Sequence, residues 1–159
     1  MPVHTLTEFL DRNQIKYTLV PHSLAYTAQG IAALTHTPGK EMAKTVIVKI
    51  DEALAMAVLP ASCQVDLLAL QAATGAKSAT LVREKEFAHR FPACETGAMP
   101  PFGNLYGMKV FVDESLTKDK EIAFNAGSHW ELMRVAYADF ARVAQPRVLR
   151  FALGRARAA

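Results

Sequence analysis

The run Lys44-Thr45-Val46-Ile47-Val48-Lys49-Ile50 limits the possible folds more than any other part of this chain. It is rich in β-branched residues and almost continuously hydrophobic, the pattern of a strand covered on both faces rather than one with a solvated side. Asp51-Glu52 then turns the chain into a second apolar run, Leu54 to Leu59. A sheet built around such strands needs layers packed on it, and the remaining sequence supplies them.

Thr5-Leu6-Thr7-Glu8 is a capping-box pattern, and Leu6, Phe9 and Leu10 share one face, so a first helix is expected to run to about Asn13. Lys16 to Val20 reads as a strand ended by Pro21. Thr27 can cap a short helix that turns Ala28 and Ile31 inward and stops at Pro38-Gly39. Gln64 to Ala73 carries Val65, Leu67, Leu68 and Leu70 at helical spacing. A strand near Ala79 to Val82, a charged helix from Arg83 to His89, and strands at Met108 to Val112, Glu121 to Asn125 and Glu131 to Val135 follow, before a final helix from Tyr137 to Val143. The expected class is α/β, with a mixed central sheet surrounded by helices.

At 159 residues the chain suits a single domain spanning 1–159, long enough to bury roughly 70% of its unfolded surface. Its 51% hydrophobic and 21% charged residues are globular in balance, and no run approaches the length of a membrane span. A cytoplasmic protein is therefore expected. Cys63 and Cys94 lie far apart, and His4, His22, His36, His89 and His129 show no metal-ligand spacing, so neither a metal nor another cofactor is expected. The net charge of +3 permits contact with phosphate without announcing nucleic acid. Arg147, Arg150, Arg155 and Arg157 read as a solvated tail, with phosphate contact as the alternative.

No nucleophile elbow, P-loop, dinucleotide fingerprint or zincin motif occurs. Three other places stand out. Lys44 opens the β-branched run; a lysine there is ordinarily solvated, but it could hold a carbonyl, carboxylate or phosphate at a pocket rim. Phe124-Asn125-Ala126-Gly127-Ser128-His129 takes a strand into a small-residue turn with backbone N–H groups to offer. Gly97-Ala98-Met99-Pro100-Pro101-Phe102-Gly103 is stiffened by two prolines between glycines able to adopt positive φ, as either a plain turn or a pocket wall. Met99 and Phe102 suit a core equally well.

Together with Ala43-Lys44-Thr45-Val46 and Val110-Phe111-Val112-Asp113-Glu114-Ser115-Leu116, these segments resemble the YbaK/ProX-like aminoacyl-tRNA deacylases. These are bacterial free-standing editing domains related to the insertion domain of prolyl-tRNA synthetase. The resemblance covers almost the whole chain and implies a mixed α/β fold with a pocket beside the central sheet. It also implies hydrolysis of the ester joining a wrong, small amino acid to the 3′ end of a tRNA, typically the tRNA for proline, with an aminoacyl-tRNA synthetase as a further partner and no membrane. Such an enzyme is a second sieve for translation fidelity, because a missing methylene is worth only about 1–3 kcal/mol in binding.

The resemblance makes Lys44, Gly127, Ser128 and His129 the expected catalytic set. Lys44 and the backbone N–H groups of Gly127 and Ser128 would position and polarise an ester attacked by water, with no protein nucleophile. Tyr26, Thr27, Asn125 and the loop Gly97, Ala98, Met99, Pro100, Pro101, Phe102, Gly103 would line the substrate pocket. Many relatives carry a Gly-x-Ser-Pro type of loop where this chain has Met99-Pro100-Pro101, a departure that bears on amino-acid specificity. The alternative is a binding module on the same fold, recognising a tRNA end, a nucleotide or a synthetase without catalysis.

Overall fold

The computed structural model describes residues 2–21, 41–91, 98–127 and 131–154. The β-branched run forms β2 (Ala43–Ile50), which pairs antiparallel with β3 (Ala53–Pro60) across the Asp51-Glu52 turn. Asp51 adopts φ 55°, and its Oδ1 accepts the backbone N–H groups of Lys77 and Ser78 at 2.9 and 3.1 Å. That anchors the turn against the segment leading into β5 (Ala79–Leu81), the outer neighbour of β2.

On its other side β3 runs parallel to β6 (Lys109–Asp113), and β6 runs parallel to β9 (Arg147–Leu149). The result is a mixed five-stranded sheet in the order β5-β2-β3-β6-β9. Its centre is β3, whose last six residues are all buried. A second, antiparallel sheet holds β1 (Tyr17–Pro21), β8 (Glu131–Ala136) and β7 (Glu121–Asn125), in that order. A single parallel bridge between Met42 and Ala123 joins the two sheets, supported by the Ala123 N–H donating to the Glu41 carbonyl at 2.9 Å.

Strand alternation sorts the side chains into two layers. Ala43, Ile47, Met56, Val58, Val110 and Val112 face the larger core, where they meet Leu6 and Leu10 of α1 (Pro2–Arg12) and Phe140 of α4 (Tyr137–Ala144). Phe124 and Ile122 bring the second sheet onto the same core. Val48, Ala55, Ala57, Leu59 and Phe111 face the opposite layer, built from Leu70 of α2 (Leu67–Thr74), Cys63, Phe151 and Ala152. The mixed sheet flanked by helices agrees with the expected class.

Local differences from the sequence expectation have physical causes. The first helix starts at Pro2 rather than at a Thr5 cap, and proline is well suited to a first turn because its missing N–H would lack a partner there anyway. Gln64 and Val65 are not helical. They belong to β4 (Cys63–Val65), paired antiparallel with β10 (Ala152–Gly154), and Asp66 is the true cap, its Oδ1 accepting the Ala69 N–H at 3.1 Å. The charged helix shortens to α3 (Glu84–Phe87) and tightens into a 3-10 turn over Ala88–Arg90.

Arg147 and Arg150 are not part of a free tail. Arg147 lies in β9 and donates to the Ala73 carbonyl at 3.1 Å, while Arg150 pairs with Glu114. Arg155 and Arg157, and the helix expected from Thr27, lie outside the described residues.

Candidate functional site

Lys44 is the second residue of β2, directly across from Leu59. β2 contacts β5 only through Val48–Ile50, so the first half of the strand has no β5 partner. This is the stretch where the second sheet approaches through the Met42–Ala123 bridge. Alternation sets Lys44 on the same face as Met42, Val46 and Val48, the side of the smaller core layer. The side chain is half-buried, and among the described residues its ammonium has no hydrogen bond or ion pair. Loss of hydration pushes its pKa below the usual lysine value; the neighbouring Cys63 opposes that shift.

Asn125 ends β7 and pairs with Leu132 of β8. Paired residues point to one face, and Leu132 packs with Met42, Ala61 and Ala123 in a small buried cluster at the seam of the two sheets. Met42 and Ala123 are bridged in parallel, and Lys44 and Asn125 each lie two residues further along on the same face of their strands. Asn125 is 7% exposed, and its Oδ1 is buried without a hydrogen-bond donor among the described residues.

The turn beyond β7 is tied to the Pro-Pro loop. Gly127 adopts φ 98° and donates its N–H to the Ala98 carbonyl at 2.9 Å. That N–H, expected from the sequence to face the substrate, is thus engaged within the protein. Ser128 and His129, with Tyr26, Thr27 and Gly97, lie outside the described residues.

From Ala98 to Gly103 the loop is buried throughout. The Phe102 ring stands edge-on to Phe124 and Phe140 at 5.6 Å and to Phe9 at 5.8 Å, so its side chain fills the larger core. Met99 joins the same core. Gly103 does not use positive φ: a Cβ there would overlap the Met108 carbonyl oxygen and come within 2.7 Å of Val110 Cγ2. Glycine is needed because the chain closes on itself, with Tyr106 and Met108 N–H groups donating to the Gly103 carbonyl. The side chains of the loop's second half therefore anchor it from behind.

Cys63, to which the sequence gives no metal-binding role, is the neighbour that acts on Lys44. Its signal was available in the hairpin: a turn at Asp51-Glu52 pairs Lys44 with Leu59, and Cys63 follows four residues later. A separate groove of about 740 Å³, lined by Asp51, Leu54, Gly75, Lys109 and Arg147 among others, lies at the far end of β2, away from Lys44. No group of three or more His, Cys, Asp or Glu side chains converges among the described residues.

Residues 22–143 match the family model described as the aminoacyl-tRNA editing domain. The chain is 28% identical over 151 residues to the multifunctional Ser/Thr-tRNA deacylase ProXp-y of Escherichia coli (strain K12), covering 92% of this chain and 90% of that protein. Among solved structures it resembles the hypothetical protein APE2540, with a TM-score of 0.84 at 18% identity over 93% of this chain and 99% of that one. It also resembles a candidate trans-editing enzyme for prolyl-tRNA synthetase, with a TM-score of 0.82 at 16% identity over 96% and 98%.

Proposed function

Because the chain belongs to the aminoacyl-tRNA editing domain family, we propose that it is a trans-acting hydrolase of misacylated tRNA, with Lys44 as its central polar group. The observation that carries this reading is the half-buried Lys44 ammonium, which has no acceptor among the described residues and stands on the strand that meets the strand of Asn125. A desolvated cation with no internal partner is suited to an acceptor that arrives from outside, and the carbonyl of an aminoacyl ester is one.

In the reaction water adds to the ester carbonyl, and Lys44 stabilises the negative charge that develops on its oxygen. The bond to the ribose oxygen then breaks. That oxygen takes a proton, and a free amino acid and a tRNA with an unblocked terminal hydroxyl leave. No protein nucleophile is required, because the ester is already activated and the site contributes position and electrostatics. The Pro-Pro loop, clamped to Gly127 and anchored by Phe102, supports a size-selective wall because rigid backbone resists expansion. Ser128 and His129 would orient the substrate from the adjoining turn, with Tyr26, Thr27 and Gly97 completing the pocket.

The substrate class is a small non-cognate amino acid. The named activity of the Escherichia coli relative supports serine and threonine as the first to try, and the resemblance supports tRNA for proline as carrier. A cytoplasmic location and a synthetase to dock on belong to the same reading.

The test is a panel of mischarged tRNAs offered to the wild type and to Lys44→Ala. At least one small aminoacyl group should be released by the wild type, with a loss of about 10²–10³-fold in the folded variant, the range for removing one charge-stabilising donor. Equal rates would remove Lys44 from the mechanism. Binding without release across the panel would favour a non-catalytic tRNA-end module.

A further inference from the structure

Asn125 Oδ1 presents an unusual cost. A buried acceptor left without a donor forfeits its hydration with nothing in return, and native proteins keep few such groups. The group is 7% exposed, and it closes a strand at the seam of the two sheets, two residues beyond the bridged Ala123 as Lys44 is two residues beyond the bridged Met42. Among the described residues, one polar group there offers donors without an acceptor, and the other offers an acceptor without a donor.

An α-amino ester answers both, since its carbonyl oxygen and its amine are separated by a single carbon. We propose that Asn125 accepts a hydrogen bond from the α-amino group of the aminoacyl ester while Lys44 holds the ester carbonyl, so that the site requires a free primary amine. This rests on the deacylase reading and extends it to a part of the substrate common to every amino acid. Aminoacyl-tRNA would be accepted, and N-blocked species such as formylated or peptidyl-tRNA refused. Either protonation state of the amine can donate, and a carboxamide oxygen accepts from both. N-acylation removes donors and adds bulk at a closed wall, and a site with a buried polar group rejects analogues that leave it unpaired far more strongly than it rejects a missing methylene.

The experiment uses the full chain and a pair of uncleavable probes: 3′-deoxy-3′-(serylamino)adenosine and the same compound N-acetylated on serine. Binding is measured by calorimetry for the wild type, Asn125→Leu and Asn125→Asp, each first shown to be folded by circular dichroism. In the wild type N-acetylation should weaken binding at least tenfold. Asn125→Leu, which keeps the branching at Cγ in a somewhat larger side chain and loses the acceptor, should bind the free-amine probe less well and reduce the ratio to about two. Asn125→Asp retains an acceptor in the same geometry and should keep or enlarge the ratio, which makes it the readout should the leucine variant not fold.

A wild-type ratio within twofold, failure of the wild type to bind either probe, or an undiminished ratio in folded Asn125→Leu would overturn the proposal. If the leucine variant does not fold, a ratio in Asn125→Asp below that of the wild type overturns it. Deacylation of seryl-tRNA is assayed in parallel. Its absence would count against the hydrolase reading while the binding ratio still decides the role of Asn125.

Discussion

Gly127 donates its backbone N–H to the carbonyl of Ala98 at 2.9 Å, joining the turn after β7 to the start of the Pro-Pro loop. Twenty-nine residues separate the two in sequence, and both segments carry residues of the candidate site. The bond demands that Gly127 hold φ 98°, a region an L side chain enters only with strain. Gly127→Ala should therefore cost about 1–2 kcal/mol. It should also loosen the loop wall. The expected outcome is a lower Tm together with weaker discrimination between small and larger aminoacyl groups, read from thermal melts and competing deacylation rates.

Lys44 separates function from stability. Partial burial lowers its pKa, so the folded state binds this proton less well than the unfolded chain. Below the folded pKa the charged side chain therefore costs stability, and the cost is relieved as pH rises toward the ordinary lysine value. Lys44→Met should slow deacylation by about 10²–10³-fold while raising Tm at neutral pH by about 1–3 °C, in keeping with the usual trade between activity and stability. A carbon-13 titration of the Lys44 Cε signal should show it deprotonating below the usual lysine value. Cys63→Ala should move it further down, because Cys63 opposes the shift.

Asp113 is a structural carboxylate with a pH signature. It is 1% exposed, and burial by itself raises its pKa. Hydrogen bonds from the Ser115 side chain and from the Phe151, Ser115 and Ala152 backbones outweigh that effect and hold it below the ordinary value. A depressed carboxylate stabilises the fold above its unfolded pKa, and the contribution is lost as pH falls through the folded one. Asp113→Asn should cost about 2–3 kcal/mol at neutral pH by removing charge-assisted bonds. Its Tm should also fall less steeply than that of the wild type between about pH 5 and 2.

Gly103 offers a control that distinguishes packing from chemistry. Gly103→Ala drives a Cβ into the Met108 carbonyl and toward Val110, backbone and core that have little room to retreat. A loss of about 2–4 kcal/mol is expected, within the range for overpacking a rigid site. If the remaining folded fraction is active, its amino-acid preference should match that of the wild type, since Gly103 faces its own chain. A changed preference with unchanged Tm would make Gly103 part of the pocket instead.

The long, strongly patterned strands were legible because their pattern is local. Lys44 to Ile50 and Glu121 to Asn125 each carry the composition of a covered strand, and both are strands in the fold. The three-residue strands at Cys63, Arg147 and Ala152 were not legible, since each exists through a partner distant in sequence: β4 pairs with β10, and β9 with β6. Helical spacing in Gln64 to Ala73 is real from Leu67 onward, and only the pairing with β10 withdraws its first residues into a strand. In the candidate site Lys44 was visible as a cation at a strand opening. The orphaned acceptor of Asn125 was not, because satisfaction of a carboxamide is a property of everything packed around it.

The sequence by itself determined the layered α/β class, the sheet's long strands, the segments that could carry chemistry and the family they belong to. Each is written in side-chain type and short-range periodicity. Tertiary structure alone decided that Phe102 and Met99 fill a core, that Gly127 clamps Ala98, and that the Met42–Ala123 bridge brings the strands of Lys44 and Asn125 together. Those relations depend on one parallel bridge and a few hydrogen bonds between segments far apart in the chain. Closing such loops costs entropy that no local pattern records, and only the packed core repays it.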